Sequence, residues 1–348
     1  MARPLVPWLL ALAVLAPLAA GCRNGPVRPD GPDPDRPGSL DPCPAAHLAV
    51  LLRASDHEAV PRIVRFDGSL RACQGAALPD DSDYDSPRSI GGLDDGSELV
   101  GFAGGYSTGG ILALVSEGAI TPRLEHEEYF PVSIAAVDWG GTPAVAVLWG
   151  DGDAGREEGE QVEVYAQSDL SRLGAWSTGG YPYETAIAPA STGQANRLAT
   201  VVENDLQEVR ADPGGETLAT TDELFVGTPS WTGRVDSLDV RGDRVVAGGS
   251  NGVVWWRRDL PNAFLGPLTC RWGHLVGTPL PEEGAEYGDV AIDAEDPDAT
   301  LVIVSGTVAG DDGRGTHLYR LHRRGECELV YSAPDTHEAV ALGWAGPR

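Results

Sequence analysis

The feature that most constrains this chain is internal repetition. Similar runs begin near Arg88 (RSIGGLDDG), Val132 (VSIAAVDWG), Glu184 (ETAIAPAST), Val235 (VDSLDVRGD), Gly288 (GDVAIDAED) and Glu338 (EAVALGWAG), spaced by about 44 to 53 residues. From His47 onward no long helical periodicity occurs. Short alternating runs sit between Gly, Pro, Asp and Asn turns, which is the pattern of strands. Each of the first five runs leads into a more apolar one: SELVGFAG, PAVAVLWG, RLATVVEN, RVVAGGSN and TLVIVSGT. A third strand follows in most units (ILALVSE, VEVYAQS, GVVWWRR, HLYRLHR), and a fourth closes the unit, as in CELVYSAP. A lone four-stranded sheet cannot cover both of its faces, so repeats of this length must stack against their neighbours.

Four strands per repeat at this period predict an all-β fold, a β-propeller. The ends of the chain set the count. EAVALGWAG reads as a first strand with nothing after it, whereas HLAVLLR, RIVRFDG and SLRACQG read as three strands lacking a first. Joined, they complete one blade, giving a six-bladed β-propeller closed by a clasp of N-terminal and C-terminal strands. Such closure removes exposed sheet edges. Two β-sandwiches are the second reading, but they leave the incomplete ends unexplained. The units resemble generic WD, Asp-box and YVTN repeats, best in GDVAIDAEDPDATLVIVSG and RVVAGGSNGVVWW.

The chain begins with an address. Arg3 precedes an apolar run from Leu5 to Ala20, broken by Pro7 and Pro17 and followed by small residues. That is the layout of a secretory signal, too short and interrupted for a permanent membrane span. Leu18-Ala19-Ala20-Gly21-Cys22 resembles the lipobox of bacterial lipoproteins. The resemblance implies cleavage before Cys22, lipidation of Cys22 and an anchor in the membrane. Arg23, standing where inner-membrane retention favours Asp, implies the outer membrane. Two or three acyl chains hold stably, at about 0.8 kcal/mol per buried methylene. Residues 22–44 are rich in Pro, Asp and Gly and read as a stalk, with an extended reach on the order of 60 Å. The expected organisation is therefore signal peptide 1–21, lipidated stalk 22–44 and propeller 45–348.

Charge narrows the partners. The 25 basic residues face 52 acidic ones, a net of −27. Nucleic acid is not an expected partner, because phosphate binding needs clustered basic residues. The chain holds no Lys, so neither a lysine Schiff base nor a P-loop lysine can form. Apolar residues make up 42%, which excludes disorder over the whole length. A monomer is expected.

Beyond Cys22 stand Cys43, Cys73, Cys270 and Cys327. An even number in an exported chain suggests two disulfides among three connectivities. Cys270 and Cys327 would lie on one rim of neighbouring blades, which favours Cys270–Cys327 with Cys43–Cys73. The latter pair would pin the stalk to the clasp blade. The spacings fit no zinc site, and no metal or cofactor is expected.

Two motif matches lack the context they need. Gly150–Gly155 fits G-x-G-x-x-G, but the acidic, strand-like REEGEQVEVY follows it instead of a helix. Gly248–Gly252 fits G-x-S-x-G, but between two strands it reads as a hairpin turn. The loops leading into the first strands repeat a different chemistry. A ring recurs before each strand at Tyr84, Tyr129, Tyr183, Trp231, Tyr287 and His337, mostly with carboxylates nearby. On a closed ring these residues would surround the channel mouth. They would either wedge between blades or bind a ligand, since aromatic faces attract cations by roughly 0.5–2 kcal/mol each. The functional expectation is a lipid-anchored, non-catalytic platform for a protein partner or a small polar or cationic ligand. The alternative is a periplasmic enzyme of lactonase, sugar dehydrogenase or glycosidase type, with Asp83, Glu128, Glu184, Glu286 and His337 as candidate groups.

Overall fold

A computed structural model describes Cys43 and residues 46–344, less the segments 56–58, 79–85, 104–108, 117–118, 128, 152–160, 178–186, 190–196, 203–204, 212–217, 224–234, 243, 250–251, 258–263, 269–285, 297, 308–313, 323–326 and 335. The described strands pair into four-stranded antiparallel sheets. Counted as unbroken stretches of chain, the blades number five rather than six. The first is β4 (Pro87–Gly92), β5 (Glu98–Ala103), β6 (Gly110–Ser116) and β7 (Ala119–His126). The second is β8 (Tyr129–Trp139), β9 (Thr142–Asp151), β10 (Gln161–Ala166) and β11 (Arg172–Ser177). The third is β12 (Ile187–Pro189), β13 (Arg197–Val202), β14 (Asp205–Ala211) and β15 (Leu218–Glu223). The fourth is β16 (Val235–Arg241), β17 (Arg244–Gly249), β18 (Gly252–Arg257) and β19 (Phe264–Leu268). The fifth is β20 (Glu286–Ile292), β21 (Ala299–Thr307), β22 (Arg314–His322) and β23 (Cys327–Ser332).

The chain ends supply the remaining sheet, in the order β24 (His337–Trp344), β1 (Leu48–Ala54), β2 (Arg62–Phe66) and β3 (Ala72–Ala77). β24 pairs antiparallel with β1 from Leu48↔Trp344 to Ala54↔His337, with one bulge at Leu51/Leu52. The first strands touch one another in sequence, β4 to β8, β8 to β12, β12 to β16, β16 to β20, β20 to β24 and β24 back to β4. They therefore form the inner wall of a closed ring.

Burial follows strand position. The second strands lie between neighbouring sheets and are the most apolar: every residue of β5 is buried, as is Ala144–Trp149 of β9. The outermost β7 and β11 are largely exposed. The core is thus a set of seams between blades. One seam joins Leu48, Phe66, Leu301, Ile303 and Trp344 across the composite sheet and the fifth blade. Another joins Ile63, Val100, Phe102 and Ala341 across the composite sheet and the first blade. At about 25 cal/mol per Å² of apolar surface, these seams are the main drive for ring closure. Two departures from the sequence reading stand out. Tyr129, Tyr287 and His337 fall inside β8, β20 and β24, not in lead-in loops. The polar runs DLQEVRA and LATTDE, unread as strands, form β14 and β15.

Cys43 and Cys73 are disulfide-bonded, which fastens the chain before β1 to β3. Cys327 is also disulfide-bonded. Cys270 lies outside the described residues, as do Cys22 and the signal segment.

Candidate functional site

The inner strands are stitched to one another by their few polar side chains. Ser89 Oγ donates to the Pro131 carbonyl (2.9 Å), Ser133 Oγ to the Ile187 carbonyl (3.4 Å) and Ser237 Oγ to the Gly288 carbonyl (3.1 Å). Each bond runs from one blade to the next. A local device aims these hydroxyls: in the pairing of first and second strands, the register shifts just before Ser89, Ser133 and Ser237. A bulge bends the strand and turns the following side chain out of the normal alternation.

Two carboxylates extend the stitching. The Ile292 amide donates to Asp239 Oδ2 at 2.7 Å, and the Trp344 indole reaches the same oxygen at 3.3 Å. The Leu342 amide donates to Asp289 Oδ2 at 2.6 Å, while the Val290 amide donates to Oδ1 at 2.9 Å. Asp239 and Asp289 thereby tie the fourth and fifth blades to the C-terminal strand. The Arg241 guanidinium covers the Trp344 ring, 5.2 Å from its centroid.

Inside this wall lies a cavity of about 190 Å³ on the ring axis. All six inner strands contribute to its lining. Ile90, Val290 and Leu342 give it apolar surface, the three serines line it, and Arg88, Asp239 and Asp289 bring charge. A smaller cavity of about 30 Å³ shares Ile90, Ile134, Leu342 and Trp344 with the first, so these four residues form the constriction between the two.

The ionisable groups are perturbed by this setting. Burial is the largest influence on Asp289 and pushes its carboxyl up to about 7. The amides of Leu342 and Val290 oppose the shift, and the like charge of Asp239 adds to it. Burial also lowers Arg88, with repulsion from Arg53 acting in the same direction. Arg53 itself pairs with Glu338 at 2.5 Å. Arg88 lies over the Phe130 ring, 6.0 Å from its centroid, and among the described residues no carboxylate bonds it.

The predicted ring residues fare differently. Tyr129 is 3% exposed and packs with Leu93, Leu99, Leu112, Val147 and Trp149 in the seam between the first and second blades. Its ring meets His126 edge-on at 4.7 Å. His337 is also 3% exposed; its Nε2 lies 2.9 Å from the Val60 carbonyl and its Nδ1 2.9 Å from Thr336 Oγ1. Neither residue lines the axial cavity. Tyr84, Tyr183 and Trp231, with Asp83, Glu128 and Glu184, lie outside the described residues; Glu286 and Tyr287 are placed on β20 by their backbone only. Sequence reasoning passed over Arg88, Ser89, Ser133, Ser237, Asp239 and Asp289. The available signal was a polar residue recurring inside otherwise apolar first strands. The G-x-S-x-G match spans the ends of β17 and β18, with Gly249 opposite Gly252, so a strand-to-strand hairpin stands where a catalytic serine would need a strand-to-helix turn.

No family model matches this sequence, and no curated protein matches it. Solved structures do resemble it in fold. A chain of the nidogen/laminin complex aligns with a TM-score of 0.54 at 11% identity, covering 86% of this chain and 98% of that one. TolB from Acinetobacter baumannii aligns at 0.54 and 12% identity, over 87% of this chain and 67% of that one. The gluconolactonase XC5397 from Xanthomonas campestris aligns at 0.50 and 9% identity, over 80% and 86%. These neighbours establish a β-propeller built of repeats. They include both a lactonase-type enzyme and a chain from a protein complex, and at such identities the likeness defines the fold alone.

Proposed function

We propose that this protein is a lipid-anchored envelope component whose ring is a non-catalytic binding module, with the axial cavity receiving a small polar ligand. The observation that carries this reading is the cavity itself. It is lined by all six inner strands, and Arg88, an exposed lining residue whose guanidinium lies over Phe130, has no carboxylate partner among the described residues. The net charge of −27 favours ligands with a cationic group. Lipid at Cys22 and the Pro-rich stalk would hold the ring near the outer membrane as a monomer.

Two measurements test the proposal. The full chain, purified in mild detergent from its native membrane, is expected to release a stoichiometric small molecule in native mass spectrometry; a ligand-free ring whose melting temperature no small polar molecule shifts would overturn the binding reading. Substitution Cys22→Ser is expected to move the protein from the membrane to the soluble fraction; retention in the membrane would overturn the anchor. The enzyme reading is kept open by the fold likeness to a gluconolactonase, which is not specific to that activity. Hydrolysis of gluconolactone or related lactones above the enzyme-free rate, lost in Asp289→Asn, would replace the binding reading with it.

A further inference from the structure

We infer that the axial cavity is a site for small zwitterions, with a carboxylate seated on Arg88 and an ammonium group facing Asp289. The inference rests on the binding-module reading and adds the chemical class of the ligand.

Among the described residues, no carboxylate neutralises Arg88. Arg88 lines the cavity near the start of β4. The carboxylate of Glu338 is engaged by Arg53. Burial and then repulsion from Arg53 act against the Arg88 charge, and no described carboxylate offsets them. A guanidinium in this position is a fork for a carboxylate, which it can bind through two parallel hydrogen bonds.

The opposite sign is available at Asp289, whose carboxyl, raised by burial to about 7, is drawn into its ionised form by an ammonium group beside it. Each of its oxygens accepts one backbone amide, and a carboxylate offers about four acceptor positions. Burial is the largest influence on Asp289, and the charge acting on it is that of Asp239, of like sign. Arg88 and Asp289 thus line one cavity, and no ion pair between them is seen among the described residues. A molecule carrying both complementary groups satisfies both, and a few methylenes between them would lie against Ile90, Val290 and Leu342. Ile90, Ile134, Leu342 and Trp344 are shared with the smaller cavity, whereas Arg88 lines only the larger one. The volume of about 190 Å³ suits a compact ligand and is below the roughly 300–1,000 Å³ typical of drug-sized sites.

The test uses the full chain in detergent with 4-aminobutyrate and 6-aminohexanoate as probes, and butyrate and butylamine as controls, read by calorimetry and ligand-observed NMR. One of the zwitterions is expected to bind at least about tenfold more tightly than either control, the margin of a charged hydrogen-bonded contact. Arg88→Ala, at an exposed position, is expected to erase that margin and bring the zwitterion to the level of butylamine. Arg88→Lys should restore part of it. Asp289→Asn, checked for folding by circular dichroism, should weaken the zwitterion and butylamine alike. Equal binding of butylamine and the zwitterions, or an Arg88→Ala protein that binds as the parent does, overturns the zwitterion while leaving a channel ligand in place. If none of the four probes binds at roughly millimolar concentration, and no small polar molecule shifts the melting temperature, both readings fall.

Discussion

Ring closure depends on the bond between the composite sheet and the first blade, and one buried ion pair lies across it. Arg65 of β2 donates through Nε to Glu98 Oε1 at 2.5 Å and through Nη2 to Oε2 at 2.7 Å. The Glu98 side chain is 0% exposed and that of Arg65 16%. The pair also holds the guanidinium above its usual range, the hydrogen bond to Glu98 outweighing burial. Arg65→Met would strand a carboxylate in the seam with no cation to compensate it. Breaking a buried pair from one side costs about 3–5 kcal/mol, a large part of the roughly 5–15 kcal/mol that holds a domain. Chain size converts this to a fall in Tm of roughly 4–8 °C. The double variant Arg65→Met/Glu98→Leu should recover most of the loss, because an apolar pair of similar volume removes both charges. Urea titrations and calorimetry of the four proteins in a double-mutant cycle measure this directly. A single-variant cost under about 1 kcal/mol would place the pair with ordinary surface bridges. A double variant as unstable as the single would assign the cost to packing and refute the charge argument.

Three further outcomes follow from the seams. Gly248→Ala places a Cβ 2.5 Å from the Gly288 carbonyl oxygen and 2.7 Å from Val290 Cγ1, so denaturant unfolding should show a loss of about 1–3 kcal/mol. Asp289, raised to about 7 in the folded ring, keeps its proton there at pH values where the unfolded chain has lost it. Its contribution to stability therefore falls as pH rises from about 4 to about 7, with a slope of up to ~1.4 kcal/mol per pH unit, and Asp289→Asn should flatten that slope in urea titrations across the same range. Opening Cys43–Cys73, whose partners are 30 residues apart, by Cys43→Ser should cost about 3–4 kcal/mol on the chain-entropy account, read as a lower denaturation midpoint with a somewhat larger m as the unfolded chain expands.

Much of the architecture is legible because strands announce themselves locally. Alternation and turn residues mark β5, β9, β17 and β21 as buried runs, and Asn251-Gly252 marks the turn into β18. The pairing of β24 with β1 follows from a first strand without a sheet and a sheet without a first strand. β14 and β15 escape notice because Asp205, Glu208 and Arg210 dilute the apolar signal. Tyr129 and His337 show a different limit, since the sequence leaves wedging between blades and binding a ligand both open to them. Their recurrence at the same phase of the repeat is real, but recurrence does not say which way a side chain points. Here both turn into protein, Tyr129 into the seam beside Trp149 and His337 toward the Val60 carbonyl.

The axial site is hidden for a geometric reason. A propeller gathers its channel from first strands about 50 residues apart, so its lining residues are never neighbours in sequence. What they share, the polar residue after the bulge, is what the scaffold needs: Ser89, Ser133 and Ser237 each hold the next blade. A position that serves three blades alike cannot distinguish one ligand from another. Selectivity has to arise where the blades differ, and the residue just before that serine is Arg88 in the first blade, Val132 in the second and Asp236 in the fourth. The guanidinium therefore belongs to one sector of the ring and has no repeated structural duty there. Asp289 joins two blades through Leu342, yet burial and Asp239 resist its ionisation at that place. An unrepeated cation and a carboxylate resistant to ionisation, both facing one cavity, give the channel a direction that the fold alone does not require. That polarity is what the Arg88 and Asp289 variants probe.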